Sequence, residues 1–306
     1  MPSASKGTSA FAIRLFASFL FASLLAPARA RADDTGIAAD RFVPAPDARG
    51  FIGVEGAENA PPWSAAASLS YATHLIRVTN HFTSDRLSEP LSSVLAVDAG
   101  AQVSLTPRFT IGIGVPLALR LTGDRLSALG DSAPLQSPIL GDLRLRARAL
   151  LYGRHGGPYH LAAAAVATFP AGGETTFFAT SRPTLEPRLI AELTLPFLRI
   201  AALAGYRIAP ERHLLNARFG SELHLALAAD AHLPSSPRHP LLSHLHVLAE
   251  IEANTLGGES FLEVRAALRL TLPHVTIDTG FGAGTLASPT NPAYRVFVIL
   301  RTGLFD

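Results

Sequence analysis

The residues of this sequence able to do chemistry are arginines, carboxylates and histidines, and most of them recur at every second position. Arg144, Arg146 and Arg148 alternate with leucine and alanine, and Glu186, Arg188 and Glu192 share one parity, as do Arg199 and Arg207. Farther along come Arg218, Glu222 and His224, then His244, His246, Glu250 and Glu252, then Glu263, Arg265 and Arg269. A two-residue period puts side chains on one face of a β-strand, whereas a helix would spread them around its axis. A face with this much charge of both signs allows two chemistries. Paired across strands, the charges fill an interior with salt bridges. Unpaired, they line a watery path and select solutes by charge. The run Arg144–Arg148 favours anions locally, but the near balance with acids, Asp142 included, argues against strong selectivity.

Catalysis and metal binding find weaker support. Ser243 has the opposite parity to His244 and His246, so nucleophile and base would point to opposite faces and could not share a proton. His74 and Ser70 share a parity, but no orienting acid is identified by the sequence. His244 and His246 with His224 on the preceding strand could offer metal donors. Pairing through the 232–240 link would set His224 near position 248, too far from that pair for one coordination shell. The chain has no cysteine, so thiolate sites and disulfides are excluded. Gly112 and Gly114 lie within a strand pattern and read as small inward residues, not as a phosphate loop. No catalytic residue, cofactor or metal is therefore expected, and the protein reads as a non-enzyme.

These faces require strands to carry them. The clearest runs Phe109, Ile111, Ile113, Val115, Leu117, Leu119, Leu121 on one parity, with Thr110, Gly112, Gly114, Pro116, Ala118 and Arg120 on the other. The strand that carries the arginine run sets Leu143, Leu145, Ala147, Ala149 and Leu151 opposite them. An arginine facing lipid costs roughly 2–4 kcal/mol near the bilayer midplane, so three on one strand must face water or acids. The pattern recurs near 66–78, 94–105, 159–169, 185–195, 199–208, 215–227, 241–252, 262–270, 275–281 and 294–301. Asp98, Gln102, Asp278, Arg295 and Arg301 fall on the inward parity. Leu150, Ile190, Leu203, Leu248, Phe297 and Ile299 are scattered inward exceptions, too few for a seam that would carry hydrophobic compounds. Many strands reach ten residues, and short turns alternate with longer links at 79–92, 123–140, 170–183 and 284–292. This predicts an all-β fold: a transmembrane antiparallel up-and-down β-barrel of about twelve strands.

Residues 1–32 read as a secretory signal: Lys6 and Arg14, an apolar core over 15–25, Pro27, and the A-x-A sites ending at Ala30 and Ala32. Residues 33–62 read as a polar periplasmic extension, or a segment tucked into the barrel mouth, and 63–306 as the barrel. Lys6, Arg14, Arg29 and Arg31 lie in the signal; without them the net charge falls from +2 to −2, so the basic pI does not point to nucleic acid. The reading places the protein in a Gram-negative outer membrane with both termini periplasmic. Its partners are membrane lipid, lipopolysaccharide and the barrel-assembly machinery. Its function is that of a porin-like channel for small polar solutes, or else of a closed structural barrel. A hydrophobic-compound transporter or an embedded hydrolase ranks below both.

Arg41 to Tyr71, with Pro44, Asp47, Val54-Glu55-Gly56, Trp63 and Tyr71-Ala72, resembles the start of the barrel domain in some OmpA-family proteins, and Asn291-Pro292-Ala293-Tyr294-Arg295-Val296 is similar to its end. The resemblance implies an outer-membrane barrel over nearly all of the mature chain. It does not extend to a peptidoglycan-binding domain, for which the sequence, ending at Asp306, leaves no room. Phe305 is penultimate, where such barrels often end in phenylalanine.

Overall fold

The computed structural model describes residues 37–58, 62–79, 86–124, 135–172, 177–180, 182–214, 217–233, 244–256, 259–284 and 291–303. The signal (1–32), Ser243, Leu215 and Leu241 lie outside these. The strands are β1 (Trp63–Thr79), β2 (Arg86–Thr106), β3 (Phe109–Thr122), β4 (Ile139–Leu140), β5 (Leu143–Tyr152), β6 (Tyr159–Phe169), β7 (Thr184–Thr194) and β8 (Leu198–Arg207). There follow β9 (Arg212–Leu214), β10 (Ala217–Phe219), β11 (Glu222–His232), β12 (Leu245–Leu256), β13 (Glu259–Thr271), β14 (Val275–Gly284) and β15 (Tyr294–Gly303).

Each long strand pairs antiparallel with its neighbours, β1 pairs with β15, and a closed barrel of 12 strands results. Closure leaves no unpaired edge, which a strand crossing hydrocarbon requires. β4 is a short addition to β3, and β9 with β10 makes a separate hairpin in the link between β8 and β11. No helix among the described residues is long and apolar enough to cross a membrane.

The outward parity is apolar all the way round: Leu69, Ile113, Leu145, Leu189, Leu227, Val264 and Val298 are exposed. Trp63, Tyr152, Tyr159 and Phe197 are exposed toward the mouth with the short turns; Tyr206 and Tyr294 are exposed toward the other. Two aromatic girdles flanking an apolar band match the two interfaces of a bilayer.

Three details differ from the alternation in sequence. The register shifts between Leu95, paired with Arg120, and Ala96, paired with Ala118, so Leu119 is an extra residue in β3. Such a bulge reverses parity: Leu121, expected outward, is buried, and Arg120 is exposed. Phe219, also expected outward, is buried at the mouth with the long links, because the eighth barrel strand begins at Glu222 and residues 217–219 belong to the hairpin. His224 stands opposite Asn254, six positions from the expected 248, because β12 begins only at Leu245.

Residues 37–58 lie within the barrel, nearer to the expected alternative of a segment tucked into its mouth than to a periplasmic extension. They form a strap without regular secondary structure that threads the lumen. At one end the Ala39 amide donates to the Phe177 carbonyl (2.9 Å), in the long link between β6 and β7. At the other, the Gly156 amide, in the short turn between β5 and β6, donates to Glu58 (2.9 Å). Trp63 then opens β1, and Ser64 pairs with Gly303 of β15. Ile37 lies at the mouth with the long links, and Gly303 at the mouth with the short turns.

Candidate functional site: an occupied lumen

The strap is seated by apolar contact. Phe51, Val54 and Ala57 pack against Ile190, Leu203, Ala201, Ala226 and Ala228 of the wall. Phe42 and Ile52 pack against Leu248, Ala267, Phe297 and Ile299, with the Phe42 and Phe297 rings 5.3 Å apart. The inward apolar residues that looked scattered in sequence, Leu150 excepted, thus form two seats. At the mouth with the long links, Ile37 and Ala39 join Leu75, Ile76, Leu91, Val94, Leu121, Phe177, Phe178 and Phe219 in an apolar cap.

A tight turn shapes the strap's middle: the Ala45 amide donates to Ile52 (3.0 Å), and the Gly50 amide to Asp47 (3.1 Å). Gly50 is required there, since a Cβ would stand 2.6 Å from that of Ala45. Wall side chains then satisfy the irregular backbone, which has no sheet partner. Arg199 donates to the Arg49 carbonyl (2.9 Å), Arg269 to Gly50 (2.6 Å), Arg301 to Phe51 and Arg148 to Gly56. Glu250 accepts from the Gly53 and Val54 amides (2.8 and 3.0 Å), and Glu192 from Ala57 (2.7 Å).

The expected ladder residues fall into three groups. The first pair within the wall. Arg265 binds Glu250 (2.7 Å), Glu252 (2.6 Å) and Glu263 (2.9 Å); Arg269 binds Asp278 (2.7 Å) and Asp230 (3.3 Å). Arg188 binds Glu186 (2.7 Å), Arg199 binds Glu192 (2.8 Å), Arg207 binds Glu222 (2.7 Å), and Arg144 binds Asp98. His224 joins Glu186 (2.7 Å) to Glu252 (3.3 Å), and His246 meets Asp230 (2.8 Å).

The second group reaches the strap. Among the described residues, the carboxylates that meet Arg146 and Arg148 are Glu55 (3.3 Å) and Asp47 (3.5 Å). Glu55 also draws Arg188 (3.5 Å), Asp40 takes Arg295 (2.9 Å), and Arg41 pairs with Glu222.

The third group is not in the lumen wall. Arg218 lies in the β9–β10 hairpin, and His244 is exposed at the rim just before β12. The strap's Asp40, Asp47, Glu55 and Glu58 were missed as members of the network, because nothing periodic marks a segment that is not a strand.

Among the described residues, the pair of His74 and Ser70 is too far apart to share a proton. His74 does meet an acid, Glu89, but Ser70 is four positions back along β1, about 13 Å at strand rise. Asp142 accepts from Thr180 (2.7 Å) and holds the β6–β7 link.

A closed wall, apolar outside and charged inside, is the decisive feature. The fold is that of an outer-membrane barrel. The chain is similar to the COG4313 outer membrane channel from Pseudomonas putida F1, at 15% identity and a TM-score of 0.58, over 80% of this chain and 97% of that one. It is also similar to KdgM porin (8% identity, TM-score 0.49, 79% and 99% covered) and to LpxR from Salmonella typhimurium (9%, 0.44, 79% and 100%). No protein-family model matches the chain, and no curated protein matches its sequence. The resemblance to OmpA-family barrels thus rests on its motifs alone, and several of these, Asp47 and Val54-Glu55-Gly56 among them, lie in the strap.

Proposed function

We propose that this protein is an outer-membrane channel for small polar solutes that is shut, in the conformation described, by its own residues 37–58. Its surroundings in this reading are outer-membrane lipid and lipopolysaccharide, reached after signal cleavage and insertion by the barrel-assembly machinery. The mouth with the short turns faces the periplasm. The observation that carries the proposal is what fills the lumen. Eight strands enclose a space that wall side chains can fill, and sixteen or more leave a channel. Here the wall is wider than its own side chains fill, and the remainder is a single connected segment held by side-chain contacts. The wall left behind is charged between its apolar seats, with Arg146 and Arg148 uncovered, which favours weak preference for anions.

The test is single-channel conductance of the folded protein beside a variant lacking residues 33–58 with the signal retained. The full chain should be silent or flicker, and the deletion should give stable openings with mild anion preference. A deletion variant that folds, as shown by heat-modifiable gel mobility, yet never conducts would establish the structural barrel instead.

A further inference from the structure

We propose that His232, His246 and Asp230 form a binding site for a borderline divalent metal ion such as zinc, on the lumen wall at the mouth with the short turns. His232 ends β11 and His246 lies at the start of β12, and the two are direct cross-strand partners. Cross-strand partners present their side chains on the same face, and the two rings stand 3.9 Å apart between centroids. Asp230 is two residues before His232, on the same parity, and its Oδ1 lies 2.8 Å from His246 Nδ1. One ligand atom from each of the three residues falls within 4.8 Å of the other two. Two imidazole nitrogens and a carboxylate oxygen, with a further position left to water, are a donor set that zinc accepts. Nitrogen donors disfavour calcium and magnesium, which take oxygen.

The local charge permits a cation. Arg199 and Arg269 approach Asp230 through its other oxygen, at 3.5 and 3.3 Å. Each already has a closer carboxylate, Glu192 at 2.8 Å and Asp278 at 2.7 Å, so Asp230 Oδ1 and the two rings are not needed to neutralise them. Access is open: His232 is exposed, while Asp230 and His246 are held in place behind it. The grouping differs from the histidine set that the sequence brings to mind. His244 is at the rim outside β12, and His224 is engaged by Glu186 and Glu252. The same two arginines hold the strap carbonyls of Arg49 and Gly50, so the site lies one side chain away from the strap's turn.

The experiment is calorimetric titration of the folded full-length barrel in detergent with zinc chloride, with calcium chloride as the comparison. Wild type should bind one equivalent of zinc saturably and ignore calcium. His232→Ala and His246→Ala should each weaken binding at least tenfold, since even a supporting residue of a metal site contributes that much. His244→Ala should leave it unchanged, and heat-modifiable mobility should show all variants folded. His232 is exposed, so its variant tests the site without disturbing the interior. Absence of saturable zinc binding in wild type overturns the proposal. So does equal affinity in His232→Ala, or a loss in His244→Ala matching that in His232→Ala. None of these outcomes bears on whether the strap closes a channel.

Discussion

Arg146 of β5 meets Glu55 of the strap at 3.3 Å with both side chains buried, so the wall's arginine run and the chain's own N-terminal segment neutralise each other. Removing one member of a buried pair costs about 3–5 kcal/mol, because the other is left charged and unpaired. Glu55→Gln should therefore loosen the strap and leave the wall intact. Amide exchange at residues 53–57 should accelerate by roughly two to four orders of magnitude, while exchange in β12 and β13 stays as in wild type. Unaltered exchange in the strap would show that the pair does not hold it.

The strap can be locked to the wall. A Cβ built on Gly100 of β2 lies 3.3 Å from the Cβ of Pro46, close to the separation that a disulfide spans. The chain has no native cysteine to compete. Pro46→Cys with Gly100→Cys should cross-link on oxidation, and the oxidised protein should stay closed in a planar bilayer. Reduction should return it to wild-type behaviour. An oxidised, cross-linked protein that conducts would mean that solute passes a seated strap.

Phe51 is a buried aromatic anchor of the strap, 1% exposed, with Arg199 over its ring at 4.9 Å. Phe51→Ala should weaken seating by about 3–5 kcal/mol, the range for deleting a buried aromatic ring. The readout is limited proteolysis. Cleavage between residues 45 and 55 should appear in the variant under conditions that leave wild type whole, with the barrel itself resistant in both.

The lipid-facing parity makes its own prediction. Leu227 is half exposed, mid-strand on β11. Leu227→Arg should destabilise the inserted barrel by roughly 2–4 kcal/mol if that position is near the midplane. Reversible folding into lipid, followed by tryptophan fluorescence, measures this directly. A neutral effect would place this face in water or against protein.

Alternation made the wall legible. Strands such as β3 and β5 are written in the sequence because a two-sided wall must place apolar residues on alternate positions, and position along the chain alone reveals which. The arginine runs showed the inward face for the same reason. Bulges were less visible: one extra residue at Leu119 reverses parity without altering composition, so Leu121 read as outward. Strand starts near irregular links were also misplaced, which moved Arg218, Phe219 and His244 off the wall.

The sequence by itself determined a closed barrel with an apolar exterior and a charged interior, since those follow from local periodicity and the high cost of placing charge in hydrocarbon. Only the tertiary structure decided what occupies the interior. The strap has no period of its own, and its seats are single residues, Ile190, Leu203, Leu248, Phe297 and Ile299, spread over β7, β8, β12 and β15. Closure of the sheet brings those seats to one lumen and Glu55 to Arg146. Whether the arginines of β5 line an open path or lie under a plug depends on contacts across some ninety residues of chain, which no reading of local spacing contains.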